Sequence, residues 1–268
     1  MCTDIGQYAA QQHPDHQWQP LPKVLRQWQK AGIDCSPFWD GYTDVQDRYT
    51  TLGLAKLLPL DRFMVAHHST RPGAFGGFHH PGQGYRHLQM MALVTVYGDM
   101  SGPLPARSEL ALLDLLRGYA HDCLHYGSFR RYQLRGDGTV VRTQYGINYR
   151  TAQGRTYSAP DPRGTEHTRN LGVIMEGACD REARAITRAS AREHGITEPD
   201  GPDRYAYRDV TGQLDAADCT ALAAGVTGQC DEHTAYLTAM DRYETGVDTA
   251  TGGSSTTSAG PSPTTCTA

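Results

Sequence analysis

The stretch YAHDCLHYG at 119–127 places His121 and His125 four positions apart. On a helix such residues share one face, so the two imidazoles can bind one metal ion. Two nitrogens leave a zinc site incomplete; it needs a third protein ligand and an open position for water. The run EGACDREA at 176–183 supplies candidates. Glu176 and Asp180 are again four apart. Glu176 is the candidate third ligand. Asp180 is the candidate acceptor for the free ring N–H of a ligand histidine, a contact that fixes the tautomer.

Two helices must carry these residues. Ser108 opens the first as an N-cap with Glu109 in its first turn. Leu112, Leu113, Leu116, Ala120 and Leu124 recur at three- and four-residue steps, the buried stripe of an amphipathic helix, and Gly127 stops it. Gly118 costs that helix about 1 kcal/mol relative to Ala. The second is expected from 166 to about 193, capped by Thr165 and closed by Gly195. Between them, FRRYQL and TVVRTQY flank an Asp-Gly turn, a β-hairpin signal repeated more weakly in INYRTAQGRTY. PDPRG at 160–164 is expected as a loop.

Upstream, residues 1–20 read as a polar, frayed segment and 21–32 as a short helix with Pro22 near its start. Residues 41–66 read as mostly helical, 67–87 as a long loop rich in Gly, Pro and His, and 88–98 as apolar with helix slightly favoured. Downstream, 196–230 carry no clear pattern, 231–244 read as a last helix, and 245–268 as a Gly/Ser/Thr/Pro tail unable to bury a core. The expected organisation is one domain over 21–244. Its expected class is α+β, mainly helical, with a small antiparallel hairpin sheet.

A His-x-x-x-His helix followed by a helix bearing Glu-x-x-x-Asp resembles the gluzincin type of zinc metallopeptidase. EGACDREA is similar to the Glu-x-x-x-Asp-x-x-Ala pattern of that family's second helix. The resemblance implies a zincin-like fold, Zn2+ held by His121, His125 and Glu176, an orienting Asp180, and a peptide or other small amide substrate. It covers about 65 residues. The family's general base, Glu, follows its first histidine; here that position is Asp122. Asp is one methylene shorter, setting the carboxylate back by about 1.5 Å, and a misplacement of about 1 Å can cost roughly 100-fold in rate. With Asp122 as base, the metal lowers the pKa of its water toward about 7. Tyr145, Tyr149 and His167 are candidate transition-state stabilisers, chosen because they flank the site in sequence.

Rival readings use the same residues. His121-Asp122 also resembles the doublet of HD-domain phosphohydrolases, with His87 as the first ligand and Asp180 as the last. A third reading is a non-enzymatic binding protein whose His/Glu cluster is structural or vestigial. The histidine pairs 67-68 and 79-80 sit in the Gly-rich loop, and Cys123 and Cys179 read as small buried hydrophobes rather than nucleophiles. Seven cysteines, irregularly spaced and without a CxxC, argue against a disulfide framework or a Cys-rich zinc site. A net charge of −4 argues against nucleic acid as the general partner. Between Gly127 and Arg169, however, eight arginines face three acids, so the hairpins over 128–169 are a candidate surface for an acidic partner. No run of about 18 apolar residues indicates a membrane span, no leader pattern opens the chain, and the expected location is the cytoplasm.

Overall fold

A computed structural model describes residues 16–54, 56–69, 78–80, 85–89, 107–150, 156–158, 172–201 and 203–218, together with 11, 104 and 105. The chain divides into two compact units, one of residues 1–127 and 179–241, the other of 128–178 and 242–268. The class is α+β, mainly helical with small sheets. Among the described residues, no helix is long and apolar enough to cross a membrane.

The first unit opens with β1 (His16–Pro20), which runs directly into α1 (Leu21–Lys30). Pro22 suits the first turn, where its missing N–H is no loss. Leu21, Val24, Leu25 and Trp28 form the buried stripe. The helix stops at Lys30, and Gly32 follows at φ +90°. Next, α2 (Ser36–Thr51) starts earlier and ends earlier than the expected helical stretch 41–66. Asp34 explains the early start: its carboxylate accepts the Ser36 N–H at 2.9 Å. Gly53, at φ +75°, explains the early stop, because it supplies the left-handed residue that closes a helix.

Beyond a single 3-10 turn (Leu60–Arg62), the chain is strand, not helix: β2 (Phe63–Ser69). Its branched and aromatic residues prefer a pleated surface, and β1 pairs with it. Residues 16–20 of the expected frayed start and 63–66 of the expected helical stretch therefore pair in a sheet. The expected loop 67–87 is likewise partly strand, with β3 (Phe78–His80) and β4 (Tyr85–Gln89). The sheet order is β1-β2-β4-β3, antiparallel except for the parallel pair β2–β4. Leu88 and Gln89 belong to β4; the rest of 88–98 lies outside the described residues.

Helix α3 (Ser108–Gly127) runs through the core rather than over it. Leu112, Leu115, Leu116, Tyr119, Ala120 and Cys123 pack with the α1 stripe, with Phe38, Val45 and Tyr49 of α2, and with Phe63 and Val65 of β2. The hydroxyl of Tyr119 donates to the Leu58 carbonyl at 2.6 Å, and that of Tyr49 donates to the Ala120 carbonyl. Gly41 lets α2 approach α3: a Cβ there would lie 2.2 Å from Leu116 Cδ2. Gly41→Ala gains about 1 kcal/mol of helix propensity but overpacks a fully buried leucine at up to about 3 kcal/mol. Packing prevails, and a net loss of about 2 kcal/mol is expected in urea denaturation; a more stable variant would contradict this packing.

Helix α4 (Gly172–Glu193) ends before Gly195, at φ +64°, and α5 (Asp203–Thr211) lies in the stretch where the sequence carried no pattern. Leu110 and Leu113 of α3, Ala191 of α4, Ile196, and Ala206, Tyr207 and Val210 of α5 make a second apolar cluster. The expected cap Thr165, the loop 160–164, the helix 231–244 and the tail lie outside the described residues.

The second unit contains a meander of β5 (Arg130–Leu134), β6 (Val140–Tyr145), β7 (Asn148–Arg150) and β8 (Thr156–Ser158), all antiparallel neighbours. This is the expected pair of hairpins. In the first turn, Asp137 accepts the Thr139 N–H at 2.9 Å and its hydroxyl at 2.6 Å, and Gly138 sits at φ +81°.

Candidate metal centre

Burial decides how α3 presents its polar residues. His121, Asp122 and His125 are each less than a tenth exposed, within a helix whose other buried positions are mostly leucine and alanine. Buried polar groups must find partners, and the histidines do. Nδ1 of His121 lies 2.8 Å from Oδ1 of Asp180 on α4. A carboxylate has no proton to give, so Nδ1–H is the donor. In the neutral ring the lone pair is then on Nε2. That nitrogen faces Nε2 of His125 at 2.9 Å, with the ring centroids 4.6 Å apart.

Without metal, one Nε2–H bridging the two rings accounts for that separation. Two nitrogens sharing one tetrahedral zinc sit about 3.3 Å apart, given bonds of about 2.0–2.1 Å. Only a few tenths of an ångström separate the two arrangements. Two converging imidazoles, one with its outer nitrogen engaged by a carboxylate, thus match part of a zinc donor set in spacing, and a third protein ligand is needed to complete it.

Asp180 is itself held by charge. Burial pushes its carboxyl up, but the His121 hydrogen bond and the charges of His121, Arg184 and Arg117 outweigh burial, leaving it well below the usual range. Arg117 Nη1 is 3.9 Å from Asp180 Oδ1, and its Nη2 and Nε bond Asp114 Oδ1 at 2.8 and 3.2 Å. Arg184 bonds Asp209 at 2.7 Å. Buried carboxylates and half-buried guanidiniums thus link α3, α4 and α5.

The sequence reading missed Arg117, Asp114, Arg184 and Asp209. The signal was present: ALLDLLRG sets an Asp and an Arg inside a run of leucines. Charges are almost never fully buried unless paired, so such an interruption marks a paired, internal site.

The other candidates lie on other elements or outside the described residues. Glu176 is on α4 one turn before Asp180, but its side chain lies outside the described residues. Among the described residues, no group of three or more His, Cys, Asp or Glu side chains is arranged to hold a metal ion. Tyr145 and Tyr149 lie on β6 and β7 of the second unit, with Arg130 and Arg142 over the Tyr145 ring at 5.4 and 4.7 Å. His167 lies outside the described residues. His87 is on strand β4, whereas the HD resemblance implies a helix. The histidine pairs 67-68 and 79-80 are on β2 and β3. Cys123 is fully buried, and burial pushes its thiol up to about 12, so it carries no thiolate for nucleophilic attack near neutral pH.

Compared with known proteins, the chain matches no family model, no curated protein and no solved structure. Any function must therefore be argued from these residues and their geometry.

Proposed function

We propose that the chain is a zinc-dependent hydrolase acting on a peptide or other small amide. His121, His125 and Glu176 would hold the metal. The observation that supports this is the pair of imidazoles facing each other through Nε2 while Asp180 engages the outer nitrogen of one of them.

When bound, zinc supplies Lewis acidity and water activation. The chain's own residues do the rest. Asp180 keeps His121 in the Nδ1–H tautomer and sets its ring plane. Asp122, adjacent on α3, takes the proton of the attacking water and delivers it to the leaving nitrogen. The leucine-rich surroundings of α3 keep bulk water away, which strengthens each of these electrostatic contacts. The proposed setting is the cytoplasm.

The experiment is zinc titration of chelator-treated protein by calorimetry, with elemental analysis of the untreated protein. The expected result is about one zinc per chain, bound far more weakly by His121→Ala and by His125→Ala while circular dichroism stays unchanged. Wild-type protein that takes up no zinc, or folded histidine variants that bind it as tightly, would sink the proposal.

A further inference from the structure

The β5–β6 hairpin concentrates two kinds of side chain that surfaces normally keep apart. Five of the seven exposed large hydrophobics among the described residues lie within it or its flanks: Phe129, Tyr132, Leu134, Val140 and Ile147. Leu134 is 71% exposed and Val140 66%. Over the same residues, 128–147, four arginines (130, 131, 135 and 142) face one acid, Asp137. That acid is taken up by Thr139 within its own turn.

Register arranges them. Leu134 pairs with Val140, and Tyr132 with Arg142. Side chains alternate along a strand, so Tyr132, Leu134, Val140 and Arg142 share one face. The register shift leaves Thr143 of β6 unpaired, so Arg130, two residues before Tyr132, stays on the same face, where it and Arg142 both lie over the Tyr145 ring at 5.4 and 4.7 Å; Arg131 falls on the other face. Arginines at a sheet edge discourage aggregation, which accounts for the charges. It does not account for apolar side chains held out among them; such patches mark interaction sites.

We propose that this face docks an acidic polypeptide segment, whose carboxylates meet Arg130 and Arg142 and whose apolar side chains cover Tyr132, Leu134 and Val140. Charge complementarity selects the occupant. A second copy would set arginine against arginine. Nucleic acid could stack on Tyr132 but has no aliphatic groups to cover Leu134 and Val140, the two most exposed apolar side chains of the face. The paired N–H donors of arginine suit carboxylates as they suit phosphates; the aliphatic pair beside them decides for a polypeptide. The proposal is independent of the metal reading and involves none of its residues.

The test is selection of a random-peptide phage library on the full-length chain, followed by fluorescence anisotropy with the enriched peptides. Expected are peptides in which Asp or Glu alternates with apolar residues. Their affinity should fall at least tenfold in Arg130→Ala/Arg142→Ala and in Tyr132→Ser/Leu134→Ser, with circular dichroism showing both variants folded. It should also weaken as ionic strength rises from about 0.05 to 0.5 M. Enriched peptides without acidic excess, equal binding by either variant, tighter binding of a thymidine oligonucleotide, or a dimer that both variants abolish would each overturn it.

Discussion

Replacing Asp122 by Asn is expected to leave zinc content unchanged and to slow hydrolysis by about 100- to 10,000-fold, the usual span of a lost general base. The amide matches the carboxylate in size, so it neither opens a cavity nor moves α3. It cannot take up a proton. Asp122 is nearly fully buried beside His121, so bulk water cannot easily replace it as a base. The gluzincin resemblance adds a second arm. Asp122→Glu returns the longer side chain of that family and advances the carboxylate by about 1.5 Å; it should keep activity well above that of the Asn variant. New amino termini released from a mixed peptide digest, quantified beside elemental zinc, check both arms. An Asn variant as fast as wild type would remove Asp122 from the mechanism without touching the metal proposal.

Replacing Arg117 by Met should destabilise the protein by about 3–5 kcal/mol, the cost of removing one partner from a buried ion pair. Met preserves length and packing, so the loss comes from charge. It strands Asp114, bonded to the guanidinium at 2.8 Å, and weakens the surroundings of Asp180. Adding Asp114→Asn to the Arg117→Met variant should recover part of the loss, because the stranded carboxylate is gone. Urea denaturation reads both; a loss below about 1 kcal/mol would mean that water reaches the pair and screens it.

The two carboxylates respond to pH with opposite signs. Asp180 is held below its ordinary value, so its contribution is complete above about pH 4 and is lost as pH falls further. Asp114 is pushed up, first by burial and then by the Asp209 charge, against the pull of Arg117. Its favourable contribution is present at low pH and lost as pH rises through its folded value. Asp180→Asn should therefore cost more at pH 7 than near pH 3, and Asp114→Asn less. Parallel profiles would contradict the separate environments of these two groups.

Much of this was legible in the residues themselves. The Leu112–Leu124 periodicity and Gly127 define α3, because a helix that buries one face repeats its apolar residues every three or four positions. RGDG defines the hairpin, because only a few residues tolerate the turn. Spacing alone aligned His121 with His125 and Glu176 with Asp180, since i and i+4 follow from helix geometry. Where local preference was weak, the reading failed. FMVAHHS became a strand because β1 and β4 were there to pair with it, and α5 took its place because Leu110 and Leu113 offered it an apolar seat.

Tertiary structure alone decided which groups meet. Asp180 reaches His121 across fifty-nine residues; the Glu-x-x-x-Asp spacing offered Asp180 as an acceptor for a histidine, but which histidine it meets was decided by the packing. The same packing placed Arg117 between Asp114 and Asp180, making a buried pair from residues that would be an ordinary surface pair on an isolated helix. The sequence by itself therefore determined the elements and the faces their residues share, because those follow from backbone geometry within a few turns. The meeting of α3 with α4, and with it the tautomer of His121, depended on burying apolar surface between segments far apart in the chain, a cost and gain that local sequence does not express.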